Sequence, residues 1–112
     1  MKIYHNPRCR KSREALALIE DAGKPVQIVE YLKTPPSEKE LKELLTKLQM
    51  PAESLVRKGE DLYKDSYKGK TLTESQWIKV LANHPILIER PIVVEGKRAV
   101  IGRPPENVKQ LF

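Results

Sequence analysis

The 112-residue chain contains one cysteine, one tryptophan and one phenylalanine. A single thiol cannot close an internal disulfide, which excludes a secreted disulfide scaffold. No apolar run approaches the roughly 18 residues that span a bilayer. The N-terminus, Met1-Lys2-Ile3-Tyr4-His5-Asn6-Pro7, lacks the apolar stretch of an export signal. A soluble protein in the reducing cytoplasm, away from membranes, is therefore expected. Aromatic residues make up only 5% and no nucleic-acid-binding motif is present, which argues against nucleic acid as a partner despite a net charge of +6. Internal repeats, low-complexity segments and linkers are absent too. No metal and no tightly bound cofactor is expected.

What is present suits a globular domain: 39% hydrophobic and 32% charged residues over a length that fits one compact domain. The positive charge is read mainly as solvated surface, and it suits a small anionic substrate or an acidic protein partner. Lys2 to Tyr4 reads as a short strand. Ser12, Ala15, Leu16, Ile19 and Ala22 share one helical face, and Gly23 with Pro25 supplies the stop, so a helix is predicted from Cys9 or Arg10 to Ala22. Val26 to Tyr31 is rich in β-formers and reads as a second strand, parallel to the first. After Thr34-Pro35-Pro36, Ser37 and Glu40 form a capping-box pattern ahead of Leu41, Leu44, Leu45 and Leu48. A shorter helix follows Met50-Pro51 through Val56, residues 60–72 are ambiguous, and Thr73 with Gln76 caps another helix carrying Trp77, Ile78 and Leu81. Ile92–Val94 and Arg98–Ile101 read as a hairpin about Glu95-Gly96-Lys97. A last helix carries Val108 and Leu111 inward, with Phe112 a further inward candidate. The order βαβ, helices, ββα predicts an α/β thioredoxin-like fold, a mixed sheet with a helical insertion at about 37–88, within one domain spanning 1–112.

The stretch His5-Asn6-Pro7-Arg8-Cys9-Arg10-Lys11-Ser12-Arg13 places the only thiol where a strand hands over to a helix. Unpaired backbone N–H groups and the positive end of the helix dipole there favour a thiolate, the reactive form, and can hold an anion beside it. Lone cysteines are usually small buried hydrophobes; the four cations and one histidine around Cys9 argue for a reactive one. His5, when protonated, would stabilise a thiolate, and it reads equally well as a strand-end histidine. Ser12 keeps the spacing of a dithiol motif with a hydroxyl in place of the second sulfur; it either donates to the thiolate or bonds to backbone. With no second cysteine, turnover needs an external thiol. Arg57, Arg90 and Arg103 stand at element ends, and arginine suits tetrahedral oxyanions because its planar fork donates paired hydrogen bonds. For any one of them alone, a solvated surface residue is the simpler reading. Pro91 is a candidate for a cis bond against the prevailing trans preference.

Taken together, Ile3-Tyr4-His5-Asn6-Pro7-Arg8-Cys9, Tyr31-Leu32-Lys33-Thr34-Pro35, Leu55-Val56-Arg57-Lys58, His84 through Val94, and Gly102-Arg103-Pro104-Pro105-Glu106 resemble the ArsC-type, glutaredoxin-dependent arsenate reductase family. The matching segments extend over essentially the whole chain in order and spacing. The resemblance implies a thioredoxin-like fold with a helical insertion. It implies Cys9 as the nucleophile toward arsenate, Arg57, Arg90 and Arg103 as oxyanion ligands, His5 as the group that keeps Cys9 ionised, and Pro91 as a cis-proline facing the cysteine. It further implies glutathione as co-substrate and glutaredoxin as the protein partner that completes reduction to arsenite. Arg8, Arg10 and Lys11 then become candidate guides for glutathione or an acidic glutaredoxin surface. Two other functions share the fold: a monothiol glutaredoxin-like oxidoreductase, which gives no reason for the three arginines, and an Spx-like regulator that binds RNA polymerase, whose usual dithiol switch is missing here.

Overall fold

β1, Lys2–His5, is the strand around which the sheet is assembled in a computed structural model that describes all 112 residues. β2, Gln27–Glu30, runs parallel beside it with Ile3 opposite Ile28. On the other side β3, Ile92–Glu95, is antiparallel, with Ile3 opposite Val93, and it turns at positive-φ Gly96 into β4, Arg98–Ile101. The sheet order is β2-β1-β3-β4. This register brings His5, Glu30, Ile92 and Ile101 to the same end of the sheet. The loops that leave or enter there can meet.

α1, Arg10–Asp21, crosses from β1 to β2 and buries Ser12, Ala15 and Ile19, a spacing that repeats along one helix face. It packs with Ile3, Val93, Val108 and Leu111 in a core on one face of the sheet. Val108 and Leu111 come from a terminal 3-10 helix, Pro105–Leu111. Phe112, a candidate for the interior, is instead 44% exposed. Its ring lies under the Lys24 ammonium, 5.8 Å from the centroid, so a cation–π contact replaces core packing.

Contacts divide the chain into two units, residues 1–34 with 90–112, and residues 35–89. Sheet, α1 and terminal helix belong to the first. In the second, α2 (Glu38–Leu48) buries Leu41, Leu44 and Leu45, and its first turn is capped by Ser37, whose hydroxyl accepts from the Glu40 N–H. A 3-10 helix, Ala52–Leu55, follows. The ambiguous segment contains α3, Asp61–Ser66, a short helix with no buried residue. α4, Glu74–Asn83, begins with a complete capping box between Thr73 and Gln76 and buries Trp77, Ile78 and Leu81. Two features of this unit were not expected. Val56 and Ile88 form an isolated antiparallel bridge, and Arg57 N–H donates to the Leu87 carbonyl at 2.7 Å. No helix of the chain is long and apolar enough to cross a membrane.

Candidate active site

Cys9 is the N-cap residue of α1, in extended backbone conformation, and only 9% exposed. A turn delivers it there. Asn6 accepts the Cys9 N–H on its carbonyl at 3.0 Å and the Arg8 N–H on its side-chain Oδ1 at 3.0 Å. Asparagine opening such a turn and proline at its second position are the residues this geometry favours. The Arg13 guanidinium reaches back to the Pro7 carbonyl at 2.9 Å and fixes the loop to the first helical turn.

From the far end of the chain, Arg103 Nη1 approaches Cys9 Sγ at 3.8 Å and the Arg90 carbonyl at 3.5 Å. Cys9, Arg90 and Arg103 are thereby gathered at one end of the sheet. Nε and Nη1 of Arg90 are buried with no hydrogen-bond partner. Buried guanidinium N–H groups without acceptors are costly, and an oxyanion carries the acceptors these two lack. The Arg90–Pro91 peptide is cis, and so is Arg103–Pro104, which sequence reasoning did not anticipate.

His5 and Ser12 meet each other instead of the sulfur. His5 Nδ1 lies 2.6 Å from Ser12 Oγ, which also accepts the Asn6 N–H at 3.0 Å. His5 is 6% exposed. Burial pushes its imidazole below the ordinary value of 6.5; Glu30 opposes that, Arg13 adds to it, and Glu20 opposes it. The fold therefore favours the neutral ring, whereas the resemblance led to the expectation of a cation beside Cys9. The Ser12 hydroxyl bonds to the ring and to backbone, one of the two options left open by sequence.

Arg57 is carried by the other unit, where Nη1 pairs with Glu60 Oε1 at 2.6 Å. Of the four cations around Cys9, Arg13 holds the loop, and Arg10 and Lys11 share Glu14 at 2.9 and 3.9 Å. Only the Arg8 side chain is left with neither a hydrogen bond nor an ion pair.

Two residues that hold the site were missed. Gly102 donates its N–H to the Pro91 carbonyl at 2.8 Å, and a Cβ there would lie 2.9 Å from Pro91 Cγ and 3.2 Å from Ala15 Cβ. Asn107 Nδ2 donates to the Ile101 and Arg103 carbonyls, both at 3.2 Å. The corner bearing Arg103 is thus fixed from two directions. The Gly-Arg-Pro-Pro run marks a corner in sequence, but nothing in it tells which neighbour the glycine meets.

The profile of the ArsC family matches residues 4–111. An arsenate reductase from Neisseria meningitidis is 43% identical over 114 aligned positions, covering 100% of this chain and 97% of that protein. The structure of a putative arsenate reductase from Yersinia pestis superposes with a TM-score of 0.92 at 53% identity, covering 97% of each chain. An arsenate reductase from Vibrio cholerae superposes with a TM-score of 0.95 at 45% identity, covering 100% of this chain and 98% of the other. The mixed sheet with its helices is a thioredoxin-like α/β fold, and the chain belongs to the ArsC family.

Proposed function

We propose that this protein is an arsenate reductase that works with glutathione and glutaredoxin. The observation that carries the reading is the convergence of Arg103 on Cys9 Sγ and on the backbone carbonyl of Arg90, a residue whose guanidinium has two buried donors without partners. The names of the relatives point the same way. Arg90 and Arg103 bind the oxyanion and offset its negative charge, which would otherwise repel a thiolate. The resemblance gives Arg57 the same role, shared with its hold on Glu60. Cys9 Sγ then bonds to arsenic while one arsenic–oxygen bond breaks, and that oxygen leaves as water after taking up protons. The glutathione sulfur next bonds to Sγ. The sulfur–arsenic bond breaks with its electron pair on arsenic, which becomes arsenite. In sum, arsenic acid, the Cys9 thiol and one glutathione give arsenous acid, water and a Cys9–glutathione disulfide. Glutaredoxin, to which the resemblance assigns completion of the reduction, in this scheme acts after arsenite has left: its thiol removes the glutathione and restores Cys9. Dependence on reduced glutathione makes the cytoplasm the compartment proposed.

His5 and Ser12 act from behind the loop. Their bond to each other and to the Asn6 N–H sets the first turn of α1, and hence where Sγ sits. Cys9→Ser is expected to abolish arsenite formation with glutathione and glutaredoxin; retained activity would remove Cys9 as the nucleophile. Arg57→Ala is expected to raise the arsenate KM, and an unchanged KM would remove Arg57 from the ligand set.

A further inference from the structure

We propose that a cleft on the β2 side of the Cys9 loop binds the reducing thiol, as a small peptide carrying one ammonium and two carboxylates, with glutathione as its representative. The proposal rests on the reading of Cys9 as the attacking group. A chain with one thiol has to bring its second sulfur from outside, to a cysteine whose surroundings are already partly filled. The sheet order puts β3 and β4, with Arg90 and Arg103 at their ends, on one side of β1. On the other side, at the ends of β1 and β2, a cleft of about 300 Å³ is lined by His5, Pro7, Arg8, Glu30, Leu32 and Lys33. Its volume is at the small end of the range for ligand pockets. Pro7 and Arg8 immediately precede Cys9, so one wall of the cleft is the loop that carries the thiol.

The walls match such a peptide group by group. Arg8 is an exposed cation without an ion pair, free to take a carboxylate through two parallel hydrogen bonds. Lys33 lies 3.5 Å from Glu30 with its side chain 78% exposed, so its ammonium can hold a second carboxylate. Glu30 presents an acceptor for the ligand ammonium. Leu32, 43% exposed at the same cleft, offers apolar surface to the peptide backbone. Arg10 and Lys11, candidate guides on sequence, are engaged with Glu14 and do not line the cleft. Recognition of the thiol is thereby assigned to Arg8, Leu32 and Lys33.

S-methylglutathione, which binds without reacting, is the probe. Titrated into the full ¹⁵N-labelled chain, it is expected to shift the amide signals of Arg8, Leu32 and Lys33 saturably. Lys33→Glu and Leu32→Asp alter exposed side chains, and each is expected to weaken that binding by about tenfold, as loss of one charge-assisted contact or one apolar contact would. Lys47→Glu, the same charge change on α2, leaves it unaltered. In turnover the two cleft variants raise the glutathione KM. No saturable shift, shifts centred on Arg10 and Lys11, or wild-type binding by both variants would overturn the assignment. Shifts at this face with a glutaredoxin but not with the peptide would overturn it too, in favour of a protein partner. The titration contains no arsenate. Loss of the arsenate assignment therefore leaves cleft binding in place, and failure of cleft binding leaves arsenate reduction standing.

Discussion

At the scale of residues, the contact between Arg103 and Cys9 spans 94 positions in sequence. A hydrogen bond to a charged group is worth about 1.5–3 kcal/mol, so Arg103→Ala should slow alkylation of Cys9 by iodoacetamide near neutral pH by about tenfold or more. An unchanged rate would mean that the contact does nothing for the sulfur. His5 yields a pH prediction with a definite sign. Its imidazole is held below 6.5 in the folded chain, so the unfolded chain takes up the proton first as pH falls. Stability is thus full above 6.5 and is lost as pH drops from there toward the folded-state value. His5→Asn should flatten that part of the urea-midpoint profile, and a slope as steep as that of the unaltered chain would assign it to other groups. Cys9 could be singled out from its charged neighbours and its position before a helix. The state of His5 could not, because the balance between burial, Glu30 and Arg13 exists only after folding.

At the scale of elements, the corner after β4 shows how a short motif acts through its neighbours. A Cβ at Gly102 would meet Pro91, Ala15 and Val108 at once. An added methyl group should cost about 1–3 kcal/mol as overpacking. It should also shift the backbone that carries Arg103. Gly102→Ala and Asn107→Ala are therefore expected to slow Cys9 alkylation in the natural chain but not when Arg103 is already alanine. Equal slowing in both backgrounds would mark a general structural effect. At the other pole, Thr73→Ala should cost α4 about 1 kcal/mol by removing one half of its capping box, read from the urea midpoint; no shift would mean the box is dispensable. Both N-caps were legible because serine and threonine announce helix starts through local chemistry. The Val56–Ile88 bridge was not, since a two-residue pairing leaves no periodic pattern. The terminal helix was legible as an element but its 3-10 form was not, and the outward Phe112 depends on where Lys24 lies.

At the scale of the whole molecule, a βαβ half and a ββα half place the ends of β1, β3 and β4 together, and that arrangement makes one cysteine and two arginines into neighbours. The element order could be read from sequence because each strand and helix carries its own periodicity and punctuation. The convergence on Sγ could not be read from spacing, since the partners come from opposite ends of the chain. The same single thiol that excludes a disulfide scaffold now sets the stoichiometry of the chemistry. A single-turnover experiment with purified protein, arsenate and glutathione, but no glutaredoxin, tests this most directly. The predicted result is about one arsenite per protein, matched by one glutathione on Cys9 in the mass spectrum, with neither product from Cys9→Ser. Arsenite without the Cys9 adduct, or the adduct forming equally fast without arsenate, would contradict the account.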